Sequence, residues 1–302
     1  MPRSRLRNRR RVFALSLAVA VGTMLVLATG ASADFFSPEG GGSPNANDVD
    51  TLYKIVLAVA VVVFFGVEGV LLYSVLKFRA RKGAVPAQIR GNTKLEVGWT
   101  VGAAAILVVL AVVTFAMLGS IRNPPNSDPG GYAAQTVQRV SSAAAFQPVP
   151  PNGKALNIKV NGQQYVWRYT YPDTTPNSNL DNVFNYEELV VPTKTTVTLE
   201  IAAQDVVHSW WIPKLGGKFD AVPGHLNFTW FKIDKPGVFR GQCAELCGRN
   251  HADMIATVRA VEPAEFATWL QTKKAEIQAA DKFAETKRKE IASQAASGAQ
   301  AP

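Results

Sequence analysis

The stretch Gly241-Gln242-Cys243-Ala244-Glu245-Leu246-Cys247-Gly248-Arg249-Asn250-His251-Ala252-Asp253-Met254 holds both cysteines of the chain, four residues apart. One of the three histidines follows four residues later, and a methionine three beyond that. Thiolate, imidazole and thioether form a soft donor set that suits copper. A cysteine pair in an exported domain is most often a disulfide, but that gives histidine and methionine no reason to stand at these offsets. Zinc takes cysteine and histidine and has little use for a thioether. A mononuclear blue-copper site needs one cysteine, two histidines and a weak axial methionine, so the second thiolate would be superfluous. Two thiolates can bridge two coppers, leaving one histidine for each. His208, at an earlier strand end, can supply the second imidazole.

Outward from this loop, short alternating runs rich in β-branched and aromatic residues cover residues 156–160, 165–171, 188–191, 195–201, 206–212, 226–233, 238–242 and 255–261. Turn residues separate them, as in Pro172-Asp173, Pro192-Thr193, Pro223-Gly224 and Lys235-Pro236-Gly237. Several short strands at this spacing predict a small sandwich or barrel over 156–261. Residues 119–155, rich in Pro, Gly, Ser and Ala from Asn123 on, read as a linker. Residues 262–302 read as a charged, solvated helical tail trailing into an Ala/Ser/Gln segment.

The formal charge of +9 on 302 residues would suit a nucleic-acid binder, but its distribution does not. Six arginines lie in residues 1–11 and six more cations between Lys77 and Lys94, whereas from residue 119 onward 19 Lys+Arg face 17 Asp+Glu. The basic excess is a topology signal. Residues 1–33 have the cationic start, the apolar run and the small-residue end (Ala31-Ser32-Ala33) of a signal peptide, leaving 34–54 as an outer N-terminal segment. Residues 55–76 and 96–118 are each long enough to span a bilayer. The loop between them, 77–95, carries Lys77, Arg79, Arg81, Lys82, Arg90 and Lys94. Positive loops stay cytoplasmic, so the C-terminal region is expected on the outer face of a bacterial cell membrane.

At this point the residues resemble a family. Asp205-Val206-Val207-His208-Ser209-Trp210-Trp211-Ile212-Pro213, Asp220-Ala221-Val222-Pro223-Gly224 and the stretch from Gly241 to Met254 are similar to cytochrome c oxidase subunit II. The resemblance runs from about residue 50 to 261 and includes both spans. It implies a two-helix transmembrane hairpin followed by an all-β cupredoxin-like barrel domain. It also implies a dinuclear copper A centre with Cys243 and Cys247 bridging, His208 and His251 terminal, and Met254 and the Glu245 carbonyl as weak ligands. The Glu245 side chain resembles the family's ligand to a magnesium ion shared with subunit I, and a carboxylate suits that hard cation.

The resemblance further implies electron entry near Tyr165 and Trp167, where many members carry a tryptophan at the position of Tyr165. Glu96 resembles a family glutamate at the entrance of a proton channel in subunit I. His225 reads as a loop residue and Glu68, mid-span, receives no role. The sequence holds no Cys-x-x-Cys-His haem attachment motif, so electrons are expected from a separate cytochrome c-type donor. The acids Asp173, Asp181, Glu187, Glu188, Glu200 and Asp205, against the single cation Lys194, would steer a basic donor if they share one face. The expected function is therefore electron transfer to the haem of subunit I for reduction of oxygen to water. A quinol-oxidase relative would lack the copper ligands, a nitrous-oxide-reductase-like protein would lack the hairpin, and a copper-delivery protein would expose its site.

Overall fold

The computed structural model describes residues 40–79, 83, 85, 87–132, 135–136, 147–171 and 183–298. The expected signal segment, 1–33, lies outside them. Among the described residues, regular structure begins with α1 (Pro44–Lys77), with a proline in the first turn, where its missing N–H costs nothing. The helix runs well beyond the expected span 55–76. At about 1.5 Å per residue it is roughly 50 Å long. Its partner α2 (Thr93–Arg122) starts on Asn92, whose side-chain oxygen accepts the Leu95 N–H at 3.2 Å. The Glu96 carboxylate returns the favour by accepting the Asn92 N–H at 3.3 Å, a reciprocal cap. Both helices are long and apolar enough to cross a membrane, and their apolar side chains, such as Val62, Leu76 and Phe115, stand exposed.

The C-terminal region folds as two sheets. One contains β1 (Gln135–Thr136), β2 (Lys154–Gln163), β3 (Val166–Thr170), β4 (Phe184–Tyr186), β6 (Thr196–Ala203) and β9 (Asn227–Lys232), in the order β4-β3-β2-β6-β9 with β1 pairing β2. The other contains β5 (Glu188–Pro192), β7 (His208–Trp211), β8 (Phe219–Ala221), β10 (Gly237–Cys243) and β11 (Ile255–Val261), in the order β5-β11-β10-β7-β8. The pairs β2/β6 and β5/β11 are parallel and the other ladders antiparallel. Alternating apolar side chains from both sheets meet in one core built on Ile158, Trp167, Tyr169, Leu199, Trp210 and Val258. Tyr171 links the layers: its hydroxyl donates to the Val190 carbonyl and accepts the Val190 N–H, each at 2.8 Å.

The segment after α2 is not a free linker. Thr196 Oγ1 donates to the Pro125 carbonyl at 2.7 Å, and the Thr196 N–H donates to Ser127 Oγ at 3.0 Å. These bonds pin the segment to Thr196, the first residue of β6, a strand whose side chains are buried at almost every position. A second joint fixes the start of α1. Asn45 Nδ2 donates to the Trp230 carbonyl at 2.9 Å, and Ser43 Oγ accepts the Lys232 N–H at 3.1 Å. Both polar side chains are buried, so their hydrogen bonds are costly to lose. Finally, α3 (Pro263–Gly298) departs from the solvated helix expected at 262–302. Its first turns bury Phe266 completely, in edge-on contact with Tyr132 at 4.9 Å, while Trp269 meets Tyr171 at 5.1 Å. Farther along, Phe283 and Ile291 are exposed.

Candidate metal centre

Three connections converge at one end of the sandwich: residues 164–165 between β2 and β3, 204–207 between β6 and β7, and 244–254 between β10 and β11. Pairing of β7 with β10 sets Cys243 opposite Trp210, which brings the first residue of one strand, His208, beside the last residue of the other. Two backbone bonds fold the cysteine loop back on the sheet: Cys243 N–H donates to the Met254 carbonyl at 2.9 Å and Ala244 N–H to the Ser209 carbonyl at 2.8 Å.

The side chains then form a chain of donors. His208 Nδ1 lies 3.9 Å from Cys243 Sγ, which lies 3.9 Å from Cys247 Sγ, which in turn lies 3.5 Å from His251 Nδ1. Met254 Sδ is 3.9 Å from Cys247 Sγ, and the Glu245 carbonyl oxygen is 3.2 Å from Cys243 Sγ. Both cysteines are free thiols. The ligand atoms of His208, Cys243 and Cys247 all lie within 4.8 Å of one another, the one such grouping among the described residues. His208, Cys243, Cys247 and Met254 are buried, with His208 and Met254 wholly so. Burial, then the neighbouring Cys243 sulfur, pushes the Cys247 thiol up to about 11. A cation would remove that penalty by replacing the proton.

The donor set fits a soft metal on two counts. The sulfurs are close enough for one ion to bond both, since a metal–thiolate bond is about 2.3 Å. Two thiolates, two imidazoles and a thioether are also the ligands copper prefers. Space is made for them by glycine. A Cβ on Gly162 would come within 2.9 Å of His208 Cδ2, and Gly248, at φ +133°, would bring one within 2.5 Å of the Tyr165 hydroxyl.

The aromatic residues expected at the entry point divide. Tyr165 lies in the turn between β2 and β3, not in a strand, and its hydroxyl accepts the Arg249 N–H at 3.1 Å. Trp167 is fully buried, with its ring 5.9 Å from that of His208. Glu245 presents an exposed side chain beside the cysteine loop, while Glu96 stands far along the chain in the cap of α2. His225 sits exposed in a turn, as expected of a loop residue. The acids among the described residues do not share one exposed face. Glu200 is buried and accepts from Asn157 at 2.6 Å, Glu188 pairs with Arg259 at 3.2 Å, and Asp173 and Asp181 lie outside the described residues. Asp205 has a task that composition could not reveal: its carboxylate is 2.9 Å from His208 Nε2.

Two family models match the chain: cytochrome c oxidase subunit II, periplasmic domain, over 156–261, and cytochrome c oxidase subunit II, transmembrane domain, over 34–117. A probable cytochrome c oxidase subunit 2 of Rickettsia bellii is 32% identical over 246 residues, covering 76% of this chain and 81% of the relative. The chain belongs to the cytochrome c oxidase subunit II family. Cytochrome c oxidase subunit 2 of Alkalihalophilus pseudofirmus is 34% identical over 244 residues, covering 80% of this chain and 62% of that one. Among solved structures, the periplasmic domain of subunit II of the Bradyrhizobium japonicum oxidase is 37% identical, with a TM-score of 0.37, and covers 40% of this chain and 95% of its own. Membership in the family makes this a membrane protein with a copper-binding, cupredoxin-like domain and places it in an oxidoreductase complex. The two exposed apolar helices are the family's transmembrane hairpin.

Proposed function

We propose that this chain carries the dinuclear copper A centre through which electrons enter a haem–copper oxidase. The observation that carries the reading is the unbroken line His208 Nδ1, Cys243 Sγ, Cys247 Sγ, His251 Nδ1, flanked by the Met254 sulfur and the Glu245 carbonyl. Cys243 and Cys247 would bridge two ions, one histidine would close each end, and Met254 and the Glu245 carbonyl would be the weak ligands. Bound there, the copper pair supplies a one-electron carrier. The chain's own part is to hold the ligands in a buried, close-packed frame, so that little has to move when the charge changes. A coordination sphere filled by protein leaves no open position for a substrate, unlike a catalytic metal site. Burial of the ligands also speaks against a delivery protein, whose site must exchange its metal.

The electron donor in this reading is a separate cytochrome c-type carrier, and the acceptor is the haem of subunit I, where oxygen is reduced to water. Tyr165, half-buried and seated on the loop that follows Cys247, is the aromatic best placed to meet a donor. Trp167 would act only behind it, because it is fully buried. Glu245 would give one oxygen to magnesium, with other ligands coming from outside this chain. Glu96 would stand at the cytoplasmic mouth of a proton channel in subunit I, with residues 77–95 on the cytoplasmic side, the copper domain outside, and residues 1–33 removed as a signal peptide.

Anaerobic mixing of the purified membrane complex with a reduced c-type cytochrome tests this directly. The copper absorbance should fall before the haem is reduced. Haem reduction with no preceding copper phase would overturn the assignment of electron entry to this chain.

A further inference from the structure

His208 is a wholly buried imidazole, and what faces its two nitrogens decides what it can bind. Nδ1 faces Cys243 Sγ, and Nε2 lies 2.9 Å from Asp205 Oδ1. The same carboxylate accepts two backbone N–H groups, from Gln164 through Oδ2 and from Val206 through Oδ1, each at 2.7 Å. Gln164 then extends the connection, because its side-chain Nε2 donates to the Cys247 carbonyl at 2.7 Å. One carboxylate therefore joins all three connections that build the site.

Both oxygens of the Asp205 carboxylate already act as acceptors of backbone N–H groups, so the side chain meets the ring as an acceptor. A carboxylate that accepts leaves Nε2 to carry the proton, and Nδ1 keeps its lone pair for a metal.

We propose that Asp205 is a positioning residue of the metal centre: it selects the Nε2–H tautomer of His208, and through Gln164 it keeps that histidine in register with the Cys247 loop. The proposal rests on the copper reading above. Partners of this kind fix ring orientation and raise ligand basicity, and their loss typically costs about 10–100-fold in metal affinity or activity.

The experiment compares Asp205→Asn and Asp205→Ala with the native chain in the assembled complex. The asparagine oxygen can still accept from Nε2–H but carries no charge. Asp205→Asn should keep its copper, raise the reduction potential and alter the nitrogen hyperfine couplings of the bound histidine, since a less basic ligand favours the reduced metal. Asp205→Ala should release copper to a chelator about tenfold or more faster. Unchanged potential and couplings in both variants, with only the rate of electron entry altered, would make Asp205 a docking residue and overturn the proposal.

A second arm is independent of copper. In the metal-free full chain, histidine nitrogen chemical shifts should show a single Nε2–H tautomer for His208, and a mixture in Asp205→Ala. A native mixture would sink the proposal even if copper is bound as described. A native single tautomer in a chain that binds no copper would sink the copper reading and leave only the tautomer selection by Asp205 standing.

Discussion

The Trp230 indole N–H donates to the Ile121 carbonyl at 3.0 Å, tying a strand of the sandwich to the last turn of α2. Together with Asn45 on the Trp230 carbonyl, it fastens the same residue to both helices of the hairpin. Trp230→Phe keeps most of the apolar ring and removes the bond, a change of about 1 kcal/mol. The sandwich should fold and bind metal as before, while limited proteolysis within residues 123–132 becomes faster. Copper loss in this variant would show that the joint supports the site itself and not just its attachment.

Gly162 sits where any side chain would press on the ligand ring, 2.9 Å from His208 Cδ2 and 3.1 Å from Trp167 Cζ3. Both neighbours are buried and closely packed, so neither can move cheaply. Gly162→Ala should lower copper occupancy and destabilise the domain by roughly 1–3 kcal/mol. Copper analysis after dialysis and thermal unfolding of the metal-loaded chain measure the two effects separately. Full occupancy with an unchanged spectrum would mean the ring shifts without consequence.

The raised Cys247 thiol sets a pH dependence with a definite sign. Its value in the folded, metal-free chain is about 11 against an ordinary 9.0. Below 9.0 the thiol is protonated in both folded and unfolded chains, and its stabilising contribution is complete. As pH rises from 9.0 through about 11 the unfolded chain loses its proton first, and the contribution is lost. Chemical denaturation of the metal-free chain should therefore show stability falling across that window. A Cys247→Ser chain should show a shallower decline. Equal slopes would place the titration on another group, such as the buried Tyr171, which burial also raises.

The alternation of apolar residues and the Pro/Gly turns made the long strands legible, because five or more residues establish a period of two. β1, β4 and β8 have two or three residues, too few to show any period. Tyr165 reads as the first residue of a strand because Tyr165, Trp167 and Tyr169 alternate with Val166 and Arg168, yet it lies in the turn. The early start of α1 is not legible in the sequence, because Ser43 and Asn45 are polar and their burial comes from partners nearly two hundred residues away. The ligands Cys243, Cys247, His251 and Met254 lie within one short stretch, and the local grouping was enough to find them. His208 needed a strand pairing to join them. In the sequence Asp205 reads as one more surface acid, since nothing in its residue type distinguishes a docking charge from a carboxylate turned toward a histidine. Its spacing of three residues before His208 is the signal that was available.

The central claim is that two coppers share Cys243 and Cys247, and electron paramagnetic resonance with copper analysis on the purified full-length chain tests it most directly. Two coppers per chain should be found. In the one-electron-oxidised state, the unpaired electron should show hyperfine splitting from two equivalent copper nuclei. Cys247→Ser should abolish that pattern, since a single thiolate cannot provide both bridges. One copper per chain with splitting from a single nucleus, unchanged in Cys247→Ser, would contradict the dinuclear centre.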